Sequence, residues 1–210
     1  MARELLRQIG SVAADLPRFA TAPLYRSWHL RWGATDAEVA AAMPGDDLVP
    51  HAPFRPTRAI TIGAPPAAVW PWLVQVGVGR AGFYSNDLLD NLARPSLRQI
   101  DPGLQKLEIG QWVSMSPTPS ESTAWKVDSF AEHEWLLWSK PDSTWSWVLR
   151  DLRDGRTRLI TRVHVHYDWS RPAYSAFGVA LMEFGDFAMM RRMLLGIKER
   201  AESTPLAARQ

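Results

Sequence analysis

The chain has 210 residues, 46% apolar and 22% charged, enough for one sizeable domain burying about 70% of its unfolded-chain surface and outside the range of disordered or collagen-like chains. Lys and Arg number 24 against 22 Asp and Glu, a net charge of +2, which gives no electrostatic drive toward nucleic acid. With no cysteine, disulfides, thiolate-bound zinc, iron–sulfur clusters and a thiol nucleophile are excluded.

Residues 1–43 are predicted to be mainly helical. Leu5, Ile9, Val12 and Leu16 recur at helical spacing and share one face, which is expected to pack on the protein's own body. Arg3, Arg7, Arg18, Arg26 and Arg31 make this region basic, so a membrane surface is the weaker alternative for that helix. Charges at Arg3, Glu4, Arg7 and Asp15 interrupt every stretch that could serve as a signal-peptide core, and a cytoplasmic protein is expected. Thr35 opens a second short helix. Pro44, Pro50, Pro53 and Pro56 then mark a linker.

Between Arg58 and Arg80 run 21 residues without a charge, long enough to span a bilayer by length alone. Pro65, Pro66 and Pro71 break that span, so the stretch is read as a strand, Arg58–Ile62, followed by a helix from Ala64 to about Val76, and no integral membrane association is expected. A Gly-containing loop and a short helix, Ser85 to Leu92, come next. The chain to residue 168 reads as strands at about 111–115, 123–130, 134–139, 143–152 and 156–168, with Asp154-Gly155 expected to be a two-residue hairpin turn. A long helix, about 172–201, ends the ordered pattern. This is an α+β order: an antiparallel sheet of six or seven strands gripping one helix.

The segments AITIGAPPAAVWPWLVQVG and DFAMMRRMLLGIKER, with the strand run between them, resemble the SRPBCC superfamily, the START-like, polyketide cyclase-like helix-grip proteins. RWGATDAEVAAAMPGDDLVP resembles the leader of an uncharacterised bacterial branch of it. The resemblance divides the chain into a helical N-terminal extension with a Pro-rich linker (1–55), a helix-grip domain (56–202) and a flexible tail (203–210). It implies a deep ligand cavity between sheet and helix, and it fixes no reaction, because fold does not set function.

Several motifs invite chemistry. Gly77-Val-Gly79-Arg-Ala-Gly82 matches a dinucleotide fingerprint literally, yet it does not open a helix after a buried strand; a turn passing close to the cavity mouth is expected instead. His164 and His166 point to one face of a strand together with Arg158 and Arg162, and that face is expected to be solvated, with no metal bound. The 11 tryptophans include Trp112, Trp145 and Trp147 on strands, read as cavity lining or ordinary core, and Trp70, read as core. On the C-terminal helix Phe177, Phe184 and Leu195 share an apolar arc with Arg191 at its centre. A guanidinium there must snorkel, pair or meet a ligand anion, and Asp87 is the expected partner. Tyr84 and Asp87, in the loop before the short helix, are candidates for orienting a ligand, or for acid and base in an enzyme; the bland alternative is that Ser85 or Asn86 caps that helix and Asp87 sits at its dipole.

The preferred function is a binding module enclosing a small hydrophobic or aromatic molecule between sheet and helix, with ligand contacts from Tyr84, Asp87, Trp112, Trp145, Trp147, Phe184 and Arg191 and no cofactor. The rival is a polyketide cyclase/dehydratase-like enzyme in which Tyr84 or Asp87 moves the proton and Arg191 polarises a carbonyl or enolate. A third class is a protein partner bound at the Arg158, Arg162 and His164 face.

Overall fold

The computed structural model describes residues 2–121 and 123–203. The alternating runs form six strands, β1 (Thr57–Ile62), β2 (Trp112–Ser114), β3 (Ala124–Ala131), β4 (Trp135–Lys140), β5 (Ser143–Asp151) and β6 (Thr157–Val165). They make one antiparallel sheet in the order β1-β6-β5-β4-β3-β2. The two-residue period places Leu136, Trp138, Trp145, Trp147, Leu149, Leu159 and Val163 in one core with α4 (Pro66–Val74) and the C-terminal helix. This is the expected helix-grip architecture. The β5–β6 connection is longer than a two-residue turn. Arg153 joins Gly155 in the left-handed region, with φ of 60° and 80°, and the Leu152 N–H donates to the Arg156 carbonyl at 3.0 Å, so residues 152–156 form the loop.

The C-terminal helical run comprises α6 (Pro172–Ala180), a π segment (Leu181–Asp186) and α7 (Phe187–Ser203). Only its second half lies in the core, through Met190, Met193, Leu194 and Ile197. Phe177 and Phe184 are exposed, contrary to the inward arc expected of them. The break falls at the π segment, where a wider turn shifts the phase of the stripe. The expected tail lies outside the described residues beyond Ser203.

The face bearing Arg158, Arg162 and His164 is not solvated. The chain from α2 (Arg26–His29) through α3 (Asp36–Ala40) to Phe54 runs along the edge of β1 and across that face. The carbonyls of Leu30 and Trp32 accept from the N–H groups of Thr57 and Ala59 at 2.8 and 3.2 Å, covering an edge that would otherwise be open. A capping box of Thr35 and Glu38 starts α3. Met43 packs with Ala59 and Ile160. Arg162, 1% exposed, satisfies all five donors: Nε to Thr57 Oγ1 (2.8 Å), Nη1 to Asp46 Oδ2 (2.6 Å) and the Ala41 carbonyl (2.9 Å), Nη2 to the carbonyls of Glu38 (3.0 Å) and Val39 (2.9 Å). Arg158 forks onto Glu38 at 2.7 and 2.8 Å and holds its carboxyl down to about 2. His164 is buried 3.4 Å from Asp46, and desolvation lowers its pKa. The covering segment brings its own acceptors to the strand's cations, so this face is an internal interface.

Candidate functional site

The three glycines of the GxGxxG match all have positive φ, at 133°, 76° and 80°. Gly77 and Gly82 exchange backbone hydrogen bonds at 3.2 and 3.1 Å, so the motif is a closed turn and opens no helix. It delivers Tyr84, itself at φ 58°, against α7. Close approach there depends on Gly196, where a Cβ would lie 2.2 Å from the Tyr84 carbonyl oxygen. The Tyr84 phenol donates to the Trp72 carbonyl at 3.0 Å, the Arg200 guanidinium stacks 4.6 Å from its ring centroid, and burial pushes the hydroxyl above its usual range.

The side chains of the following residues reach beyond their own helix, α5 (Asp87–Asp90). Ser85 Oγ donates to the Met189 carbonyl at 3.0 Å. Asn86 makes no cap; its amide bonds Asp15 (3.3 Å) and Ser11 (3.0 Å) of α1 (Ala2–Thr21). The Asp87 carboxylate accepts a short hydrogen bond from Ser96.

Between α1, the 84–98 segment and α7 lies a cleft of about 430 Å³, lined by Tyr84, Asp87 and Arg191 together with Arg7, Arg18, Arg98, Arg192 and Arg200. Three of the predicted residues therefore do converge. The ion pair expected between two of them is not made: Arg191 meets no carboxylate among the described residues and rests 5.4 Å over the Trp32 ring. Six arginines face three acids here, Asp15, Asp87 and Glu199. Asp15 is shared by Arg18 (2.7 Å) and Arg192, and Glu199 holds Arg98 at 3.1 Å. The lining carries a net charge of +3, with Pro95 and Leu195 as its apolar contacts.

The remaining predicted residues lie elsewhere. Trp145 and Trp147 do point inward, but into a packed cluster. Their rings are 5.2 Å apart, with Trp138 at 5.1 and 5.8 Å and Trp125 at 5.8 Å from Trp145. Trp145 donates to Thr161 Oγ1 at 2.9 Å; the indole N–H groups of Trp72, Trp138 and Trp147 are buried without an acceptor in reach among the described residues. Trp70 is core, as expected. Trp112 is half-buried under Lys126, 4.6 Å away, and Phe184 faces outward on the π segment.

Asp90 escaped the sequence reading, because an acid in a short polar helix looks solvated. Both its carboxylate oxygens are sealed from solvent, and burial, reinforced by the nearby Asp87 charge, pushes its pKa up to about 7.

No protein-family model matches the chain, and no curated protein does. Solved structures similar to it include the Polyketide_cyc-like protein Cgl2372 of Corynebacterium glutamicum (16% identity, TM-score 0.38, covering 69% of this chain and 88% of that one). The self-sacrificing resistance protein CalC of Micromonospora echinospora is another (11%, 0.36, 70% and 96%), as is Ara h 8.0201 (16%, 0.35, 71% and 98%). Likenesses this distant fix neither ligand nor activity.

Proposed function

We propose that the protein is a binding module for a small organic anion, an aromatic acid or phosphoester, seated in the arginine cleft between α1, residues 84–98 and α7. The observation that carries this reading is Arg191: a partly buried guanidinium that meets no carboxylate among the described residues, steadied on Trp32 and bordering a cleft whose net charge is positive. Arg98 from the 84–98 segment and Arg200 from α7 also line the cleft, each already bonded to neighbours. Binding is favoured over cyclase or dehydratase chemistry because the Tyr84 proton is committed to Trp72 and Asp87 to Ser96, while Asp90, tuned near neutrality, does not line the cleft.

A second reading keeps a hydrophobic ligand between sheet and helix. The three unpaired indole donors favour it, because a ligand carbonyl or carboxylate reaching Trp72, Trp138 or Trp147 would satisfy buried N–H groups. Titration calorimetry with 2-naphthoate and phenyl phosphate separates the two. The arginine cleft predicts binding that weakens with salt and drops about tenfold in Arg191→Gln. Binding unaffected by Arg191→Gln and abolished by Trp147→Phe would favour the interior.

A further inference from the structure

The hydrophobic core does not hold α1. Among the described residues none of that helix belongs to either apolar cluster, and the two it buries are polar, Gln8 and Asp15, at 4% and 1% exposure. Gln8 donates to the Ala93 carbonyl at 3.2 Å, Ser11 Oγ to Asn86 Oδ1 at 3.0 Å, and Arg192 to the Ser11 carbonyl at 3.0 Å. Asp15 accepts from Arg18 of its own helix at 2.7 Å, from Asn86 at 3.3 Å and from Arg192. A helix attached through hydrogen bonds and ion pairs, with no side chain in the core, opens at a small part of the global unfolding free energy. It is nonetheless a wall of the arginine cleft, to which it brings Arg7, Asp15 and Arg18.

Charge at this seam is unbalanced. Asp15 already serves Arg18 and Arg192, and Arg191, next to Arg192 on α7, meets no carboxylate among the described residues. Burial first, then the Arg18 charge, lowers the Arg191 pKa, so the two guanidiniums repel across the seam between α1 and α7. Arg18 also has donors to spare. Asp15 engages its Nη1, the side chain is 42% exposed, and its Nε and Nη2 meet no acceptor among the described residues. An anion placed on Arg191 would remove the repulsion and offer acceptors to both helices at once.

Resting on the anion site above, we propose that α1 is the lid of that cleft: an anion held by Arg191 of α7 is also taken by Arg18 of α1, and binding locks the helix down. Linkage then ties two measurements, because the factor by which the docked helix strengthens binding is the factor by which saturating ligand slows its opening. Amide hydrogen exchange of the full chain, with and without saturating phenyl phosphate, reads the second, and titration calorimetry on the same protein reads the first. Amides of α1 should exchange about fivefold or more slowly with the ligand bound. Arg18→Gln, in which Asp15 keeps Arg192 and Asn86, should weaken binding by about fivefold and abolish that protection. Arg3→Gln, which removes a charge from the same helix outside the cleft lining, should change neither. Phenyl phosphate that binds through Arg191 and leaves α1 exchange unchanged would overturn the lid while the anion site stands. Faster exchange, the sign of an anion displacing Asp15, would overturn it too, as would protection that survives Arg18→Gln. No binding in the calorimeter would remove the anion site itself, and the lid with it.

Discussion

Replacing Arg162 by Met tests whether the N-terminal segment is integral to the sheet. Met retains the apolar stem and removes five donors. Thr57 can rotate its hydroxyl and Asp46 is partly exposed, so water and Arg55, 3.6 Å away, soften the loss at those two. The carbonyl of Glu38 loses its donor in a buried setting and those of Val39 and Ala41 in a part-buried one. Leaving such acceptors unpaired costs about 1–3 kcal/mol apiece before relaxation, and breaking a buried ion pair about 3–5 kcal/mol in all. With partial rescue by water, a loss of about 3 kcal/mol is expected, roughly 6–12 °C in Tm for a domain of this size. Arg162→Lys should fall between, since one ammonium replaces only part of the fork. Arg158→Met should cost about as much as Arg162→Met, about 3 kcal/mol, because it strands the buried Glu38 carboxylate. Urea unfolding followed by Trp fluorescence gives the energies, and limited proteolysis between residues 33 and 56 reports whether the segment lifts. If Arg162→Met unfolds at the wild-type urea concentration with the segment still protected, the clamp is not what holds it.

Three further outcomes follow from the same contacts. The Asp90 carboxyl titrates near 7 in the fold against 3.8 unfolded, so the folded state holds the extra proton between those values; its contribution is complete below about pH 4 and is lost as pH rises to 7, at most about 4 kcal/mol. Asp90→Asn should therefore raise Tm relative to wild type at pH 8 and not at pH 4, and equal shifts at both would show an ordinary carboxyl. His29 is buried against Phe187, and desolvation first, then Arg58, lowers its pKa below 6.5; its contribution is complete above 6.5 and is lost as pH falls below it, so melts of His29→Phe should depend less on pH between 7 and 5 than those of wild type. Gly196→Ala would press a methyl into the Tyr84 carbonyl, at a cost of about 1–3 kcal/mol, and should weaken ligand binding as α7 moves; unchanged calorimetry would place the cleft elsewhere.

The sheet was legible because its signal is local: alternation within β5 and β6 sets both strand and face, and every strand was placed within a few residues. Tyr84, Asp87 and Arg191 were singled out from the sequence and line one cleft, but helical phase put Arg191 against the sheet and Asp87 beside it, and neither contact is made. What stayed hidden depends on contacts distant in sequence. Nothing in the run around Arg162 shows that Glu38, Val39, Ala41 and Asp46 return to cover it. Period alone gave α1 an apolar face without telling which side docks, because Asp15 finds Arg192 only in the fold. The spacing of the C-terminal stripe fits one unbroken α-helix, and the π segment at Leu181–Asp186 leaves Phe177 and Phe184 exposed. Trp excess left cavity wall and ordinary core both open, because periodicity sets a face but not whether facing rings pack edge to face and fill the space.

The account turns on where an anion sits, so a crystal structure with phenyl phosphate or 2-naphthoate bound is the most direct test. The account predicts ligand density in the cleft between α1, residues 84–98 and α7, with the acid group within hydrogen-bonding distance of Arg191 and the concave-face indoles undisturbed. Density among Trp72, Trp138 and Trp147, with the arginine cleft free of ligand, would contradict it.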